Sequence, residues 1–485
     1  LALWYIHERA LVPIQFPYIS YMGKKSRSKL GHLILEDGFS LLINSMVVRF
    51  SVILRQLANN RNEEIRFGRF INNPKVTPTK LVDHNCSLSP IDVTDKNILV
   101  ISDTSTIVFE PKYKRKNLGY IGANTEKAGF YTHPAILLDA DNGACYGLAG
   151  ISAFKIEKVK TDEEKQLKEQ KIKNRWHTLF EEKTSYKWFE APEQAIRNCP
   201  GAASYTLIGD RESDIYELIA RTIENKWDFV YRSQTDRRLS GDDKKKLSEV
   251  IEKWPVASKY NLKVPITKNR SEHTASMNLK FGQVNIPRSR TPSCRRYSKQ
   301  ITLRIVQVEE SSETVVGNEK PIKWILLTSH LIKSSEQAMQ IVKWYTQRWT
   351  IEQVFRTLKK KGLNIENSPV TTYQGLINLA TMALIAAVQV MQLIQARDGK
   401  TLQKLEDIFS KKECECLLVL NKKLEGNTTK LKNPYNPNSL AFGSWIIARL
   451  GGWSGYKKQR PPGPITIMRG LTRFYNLMEG YYLIC

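Results

Sequence analysis

Two kinds of apolar pattern alternate along the chain, and their switch points divide it. From Gly38 to Leu57 (GFSLLINSMVVRFSVILRQL) apolar residues recur at helical spacing, and the polar run NNRNEE follows. Asn97 to Ser102 (NILVIS) is instead a short unbroken apolar run. That pattern marks a strand covered on both faces, and it delivers Asp103-Thr104 at its C-terminal end. Ala135 to Asp139 and Cys145 to Ile151 predict further strands. Lys155 to Trp176 mixes both signs of charge and predicts a solvated helix. Tyr205 to Ile208 (YTLI) is another short strand, ended by Gly209-Asp210 and followed by RESDIYELIARTIEN, a helix with Ser213 or Asp214 near its start. Beyond Ser233 the period changes. NLKVPI, MNLKFGQVNI, QITLRIVQV and KWILLT alternate apolar with polar, as half-exposed strands do. Ser335 to Lys361 predicts one long helix, and the apolar Leu376–Ala396 helix follows it. The last segment holds helices, the loop RPPGP at 460–464 and many aromatics, among them Trp445, Trp453, Tyr456, Phe474, Tyr475, Tyr481 and Tyr482. The expected class is α/β, divided as 1–95, 96–232, 233–330, 331–400 and 401–485.

Leu376–Ala396 is long enough to cross a bilayer. It carries Asn378, Thr381, Gln389, Gln392 and Gln395, however, with no aromatic residue at either end, so a buried core helix is the expected reading. The opening LALWYIHERA places Glu8 and Arg9 where a signal peptide needs an unbroken apolar run. Leu1 stands where an initiating Met would be, which leaves the start of the reading frame open.

Charge sharpens the picture. The 485 residues include 74 Lys+Arg against 48 Asp+Glu, a formal charge of +26. A chain this basic seeks a polyanion, nucleic acid before an anionic membrane surface. The alternating segment Arg232–His330 holds 20 Lys+Arg against 10 Asp+Glu, so an inserted sheet with a basic surface is expected there. In IRFGRFINNPKVTP, Arg66 and Arg69 sit among Phe67 and Phe70, which suits DNA phosphates and bases as well as it suits a surface helix with two core phenylalanines. Seven scattered cysteines and seven dispersed histidines, with no CxxC, HxxxH or HxH, support neither a disulfide framework nor a zinc site. A reducing cytoplasm fits.

The candidate chemistry is carboxylate chemistry. Asp103 and Asp210 each end a short apolar strand, a place where an aspartate also commonly caps the next helix. Glu352 lies on the long predicted helix. At about 100° per residue, Tyr345, Arg348, Glu352 and Lys359 fall within roughly 60° of arc. Trp344, Ile351, Val354, Phe355 and Leu358 fill a separate apolar arc of roughly 100°. The bland reading of the first stripe is a surface ion pair, since Arg348 and Glu352 are spaced i,i+4. The sharper reading is phosphodiester chemistry. Two Mg²⁺ ions need carboxylates from separate elements, and cations and a tyrosine hydroxyl would hold the flanking phosphates.

YTQRWTIEQVFRTLK, spaced Y-(2)-R-(3)-E-(6)-K, resembles the signature of the IS4 family of bacterial DDE transposases. Asp103-Thr104 and Gly209-Asp210-Arg211-Glu212-x-Asp214 look like that family's first and second aspartate motifs, and SWIIARLGGWSGY is similar to its C-terminal part. The resemblance runs from about Ile65 to the C-terminus and is nearest in layout to the Tn5-type enzymes; residues 1–30 stand outside it. It implies an RNase H-like catalytic core over 96–232 and 331–400, split by the β-rich insertion. A helical DNA-binding region would precede the core, and a C-terminal helical region would dimerise. It also implies Asp103, Asp210 and Glu352 as ligands of two Mg²⁺ ions, with Mn²⁺ as a substitute. Tyr345, Arg348, Lys359, Arg66, Arg69 and Arg211 would contact DNA, and Trp324 would stack on a flipped base, unless it is a plain core residue of the KWILLT strand. The implied activity is cut-and-paste transposition: cleavage at inverted-repeat ends, a hairpin, then strand transfer into target DNA by a homodimer in the bacterial cytoplasm, at the nucleoid. An RNase H-type nuclease without joining activity, and a DNA-binding remnant acting as an inhibitor, remain as alternatives.

Overall fold

The computed structural model describes residues 29–88, 91–122, 127–157, 177–241, 245–267, 270–360, 362–456 and 459–484. Of the charged 155–176 stretch, only 155–157 lie among these, as an irregular tail. The predicted helix over the remainder falls outside the described residues, as do residues 1–28.

One mixed sheet organises the chain. Its strands are β1 (Asn97–Ser102), β2 (Ser105–Phe109), β3 (Gly119–Tyr120), β4 (Ala128–Asp139), β5 (Cys145–Phe154), β6 (Ser204–Gly209), β7 (Asp228–Arg232), β8 (Ser258–Val264), β9 (His273–Pro287), β10 (Gln300–Glu310) and β11 (Lys323–Thr328). The order is β2-β4-β1-β6-β7-β11-β10-β9-β8, with β3 and β5 also on β4. β4 runs antiparallel to β1 and β5, whereas β1, β6 and β7 are parallel. The central strands carry apolar runs because both faces are covered: Ile98, Leu99, Val100 and Ile101 are all fully buried. β8 to β10 alternate in burial, as their sequence period requires. The insertion is not a separate sheet. β11 pairs antiparallel with β7, so the inserted strands continue the central sheet.

The helix Tyr373–Ala396 is the apolar span expected to be core, and it is almost wholly buried. Its polar residues are its fastenings. Asn378 Nδ2 donates to the Ile71 and Val76 carbonyls, both at 2.9 Å. Gln392 Nε2 donates to the Tyr146 carbonyl at 3.1 Å. Gln395 accepts from the Cys145 amide at 3.0 Å and donates to Thr350 Oγ1 at 3.2 Å. One helix thus ties the N-terminal helices, β5 and the Glu352 helix together. The Leu440–Leu450 helix, which carries SWIIAR, lies against it and is bonded through Ser444 Oγ to the Leu393 carbonyl at 2.7 Å.

Two predicted helices are broken. The Gly38–Leu57 pattern becomes Leu33–Arg49 and a short Leu54–Leu57 turn, because Phe50 adopts a left-handed conformation (φ 44°) that ends the first helix. The expected single helix over 335–361 is two, Ser335–Thr346 and Trp349–Lys359. Between them the backbone bonds tighten to i→i−3, from Gln347 to Trp344, Arg348 to Tyr345, Thr350 to Gln347 and Ile351 to Arg348.

The Lys187–Asn198 helix lies so close to β5 that only glycine fits at position 150. A Cβ there would stand 1.9 Å from the Ala191 carbonyl oxygen. Gly150→Ala is expected to force helix and strand apart and to lower stability by about 1–3 kcal/mol. A lower urea midpoint with an unchanged denaturant slope would show it.

Candidate active site

The site begins with a strand register. β1 and β6 run parallel with Ile101 beside Ile208, so two further residues on each strand place Asp103 beside Asp210. β6 and β7 run parallel with Gly209 beside Tyr231, so the next residue after Asp210 on that row is Arg232. Three short neighbouring strands in the middle of the sheet therefore deliver an acid, an acid and a base at their C-terminal ends.

Asp103 stands at a local break. β1 and β2 pair with β4 in one continuous register, interrupted only at Asp103-Thr104, opposite His133-Pro134. Pro134 has no N–H to contribute to a ladder. Thr104 bonds sideways instead, its Oγ1 lying 2.9 Å from His133 Nδ1. His133 is fully buried against Trp188, and burial holds it well below its ordinary pKa, so it is neutral. The Thr104 amide donates to Asp103 Oδ1 at 2.8 Å. Asp210 does the capping that its sequence position suggested: its Oδ1 accepts from the Glu212 amide at 2.8 Å and starts the Arg211–Ser213 turn.

Glu352 arrives through Arg348. Arg348 Nη1 donates to Asp103 Oδ2 and Nη2 to Glu352 Oε1, both at 2.6 Å. The i,i+4 pair is present, but it is not a surface pair. The Arg348 side chain is 14% exposed, and its second bond crosses to β1. Tyr345 is buried, with its ring 5.2 Å from that of half-buried Trp324. Arg232 lies beside the Tyr345 hydroxyl and within the field of Arg211 and Arg348. The break between the two helices leaves Tyr345 and Glu352 on different helices, so the stripe read from the helical arc is assembled across a kink. Lys359 is half-buried, and burial lowers its pKa against the opposing pull of Glu366.

The remaining expected DNA contacts are exposed cations. Arg66 pairs with Asp37 at 3.8 Å, and Arg66 and Arg69 are exposed on the Arg61–Ile71 helix, whose Phe67 and Phe70 fill the core. Arg211 is exposed on the turn after Asp210. Three residues were not anticipated. Arg232 could have been found as the base that closes the strand beside Asp210. Lys187 pairs with Glu212 at 3.0 Å and, after Arg348, offsets part of the rise that burial imposes on the Asp210 carboxyl. Asp214, noticed only as part of a motif, accepts from the Gln234 amide at 2.8 Å and from Arg237, fastening the start of the insertion to the Asp210 turn.

The carboxylates bear the cost of burial first, and Asp103 that of its neighbours second. Burial pushes Asp103 up to about 6; Arg348 pulls it down, and Asp210 and Glu352 push it up. Asp210 is raised as well, mainly by burial. Burial, more than any lack of nearby cations, is what makes the ionised form of this cluster costly. Among the described residues no three Asp, Glu, His or Cys side chains are grouped to hold a metal as they stand, because the Arg348 fork lies between Asp103 and Glu352. The donor set nevertheless fits a hard divalent cation in kind: all-oxygen ligands, anionic, and drawn from three separate elements.

A family model described as Transposase DDE domain matches residues 105–389, more than half of the chain. Asp210 and Glu352 lie inside the match, and Asp103 lies two residues ahead of it. The chain is also similar to a piggyBac transposase solved by cryo-EM as a synaptic complex with hairpin DNA. The two share 10% identity, with a TM-score of 0.36, over 95% of this chain and 73% of that one.

An unfolded aspartate titrates near about 3.9. Between that value and about 6, folded Asp103 keeps a proton that the unfolded chain has lost, so its contribution to stability falls as pH rises through this window. With a chelator present, wild type should lose about 2–3 kcal/mol relative to Asp103→Asn between pH 4 and 6. Urea unfolding of both proteins across that range measures it, and parallel stability curves would contradict it.

Proposed function

The chain belongs to the Transposase DDE domain family, and from that premise we propose that Asp103, Asp210 and Glu352 are the catalytic carboxylates of a cut-and-paste DNA transposase. The observation that carries the reading is the strand register that sets Asp103 beside Asp210, with Glu352 tied to Asp103 through Arg348. The order β5-β4-β1-β6-β7, antiparallel on one side of β1 and parallel on the other, supports an RNase H-like core. The same carboxylates would hold Mg²⁺, which supplies neutralisation of the attacking and leaving oxygens of a phosphodiester.

This chain's own residues orient the DNA. Arg348, Arg232 and Arg211 lie beside the carboxylates as cations suited to the phosphates flanking a scissile bond, and Lys359, further along the Glu352 helix, would hold a phosphate beyond them. Tyr345, being buried, supports Trp324 and Arg232 instead of reaching far into solvent. Trp324 is half-buried with one side against Tyr345, which leaves a face on which a displaced base can stack. The basic β8–β10 strands extend this surface, and Arg66 and Arg69 offer a second phosphate contact from the N-terminal helices. Water attacks first and frees a 3′-hydroxyl at each transposon end. That hydroxyl then forms a hairpin and, once the hairpin is reopened, joins target DNA. Dimerisation through the C-terminal helices would bring two ends together; Leu418 and Val419 lie exposed on the Lys411–Leu424 helix. The reading places the enzyme in the bacterial cytoplasm, at the nucleoid.

Asp103→Asn, Asp210→Asn and Glu352→Gln should each abolish nicking of transposon-end DNA in Mg²⁺ while band shifts show that end binding survives. Three variants that nick at wild-type rates would place the active site elsewhere. A precut end tests joining, which a plain nuclease lacks.

Trp324→Ala should leave first-strand nicking near normal and slow hairpin formation by about ten- to hundredfold, at ~1.4 kcal/mol per factor of ten. Because Trp324 is not fully buried, its truncation should not cost the ~3–5 kcal/mol of a core tryptophan. Step-resolved gels beside a melting curve separate the roles: early melting with uniform loss of all steps would mark Trp324 as a strand residue alone.

A further inference from the structure

Arg348 commits both terminal nitrogens to carboxylates, Nη1 to Asp103 Oδ2 and Nη2 to Glu352 Oε1. The planar guanidinium fork makes this double bridge possible, since a lysine ammonium is a single point of charge. The residue sits on the kink between Ser335–Thr346 and Trp349–Lys359, where its amide bonds only three residues back. The two oxygens it holds are oxygens that a carboxylate-bound cation would need, and guanidinium and metal repel each other. Around the bridge lie Tyr345, Arg232 and Arg211, so a guanidinium that left the carboxylates would enter a positive neighbourhood. Only an anion there would make the departure favourable.

We propose that Arg348 is an exchangeable counter-ion: it bridges Asp103 and Glu352 in the metal-free protein, yields both oxygens when a divalent cation binds, and then turns its fork to a DNA phosphate. The inference rests on the reading of these carboxylates as metal ligands. It couples the two binding events, and coupling is reciprocal. Metal raises affinity for a DNA end, and a DNA end raises affinity for metal. Arg348 is therefore a positioning residue before it is a phosphate ligand, keeping the acids neutralised until both partners arrive.

The test is a Mn²⁺ titration of the full chain, followed by the electron paramagnetic resonance signal of free Mn²⁺, with and without a transposon-end duplex. Arg348→Ala should bind Mn²⁺ tighter than wild type by about tenfold or more, ~1.4 kcal/mol. Arg348→Lys, which keeps the charge and loses the fork, should tighten it by less. Duplex should raise Mn²⁺ affinity in wild type and leave it unchanged in Arg348→Ala. An Arg348→Ala protein that melts early in chelator and recovers in saturating Mn²⁺ supports the exchange, because the ion then replaces the missing cation. A folded Arg348→Ala protein with wild-type Mn²⁺ affinity overturns it. If Arg348→Ala folds under neither condition, Arg348→Lys decides, and wild-type Mn²⁺ affinity in that variant overturns the exchange as well. Asp103→Asn keeps the two ideas distinguishable. If it binds Mn²⁺ as wild type does, the carboxylates are not the metal site and the functional reading fails. If it loses Mn²⁺ while Arg348→Ala shows no gain, only the exchange fails.

Discussion

Two acids lie side by side in a nearly dry place because β1 and β6 are parallel neighbours whose apolar runs end level with each other. Much else in this structure answers that constraint. Like charges at adjacent positions on paired strands repel, and burial strengthens the repulsion by removing water. The fold opposes it with Arg348, shared between Asp103 and Glu352, and with Lys187 and Arg232 at the margins. Burial still holds Asp103 up to about 6 against the pull of Arg348, with Asp210 and Glu352 adding to the rise. Partly buried, ionised acids are unfavourable for the folded protein alone and a cation would favour them, which is the usual way in which a functional site departs from the most stable arrangement.

Holding such a cluster needs stiff surroundings. Tyr373–Ala396 supplies them by bonding to the N-terminal helices, to β5 and to the Glu352 helix through side chains that an apolar span would lack. Below the acids, neutral His133 and Trp188 fill the space under the break in β1–β2, so Asp103 cannot sink into the sheet. On the other side, Asp214 fastens the first residues of the insertion to the turn that carries Asp210. The insertion then extends the sheet through β11, which brings Trp324 over Tyr345. A long excursion of the chain therefore reaches the site by strand pairing with β7, a rigid connection, and not by a loop.

Much of this was legible along the chain. NILVIS and YTLI each announced a strand ending in an acid, since a short run of consecutive apolar residues suits a strand covered on both faces. The alternation in NLKVPI to KWILLT announced half-exposed strands for the same geometric reason. Asn378, Gln392 and Gln395 announced that the apolar 376–396 span is core, because polar groups at that depth need protein partners. Local chemistry determined these features, and local chemistry is what a sequence displays. Contacts between distant segments are different, since a side chain's partner depends on register and packing. Arg348 and Glu352 looked like a surface pair because the second partner, Asp103, is 245 residues away. Arg232 looked like the start of an insertion because its neighbour across β6 and β7 is set by strand offset. The 335–361 helix looked continuous because helical spacing persists through a kink whose tightened bonds no residue type announces. Phe67 and Phe70 suited bases and a core alike until burial placed them in the core and left Arg66 and Arg69 outside. Identity and spacing thus told which groups are present and on which kind of element. Which acid meets which base was settled by strand offset and helix packing, because those contacts form only when the whole sheet closes.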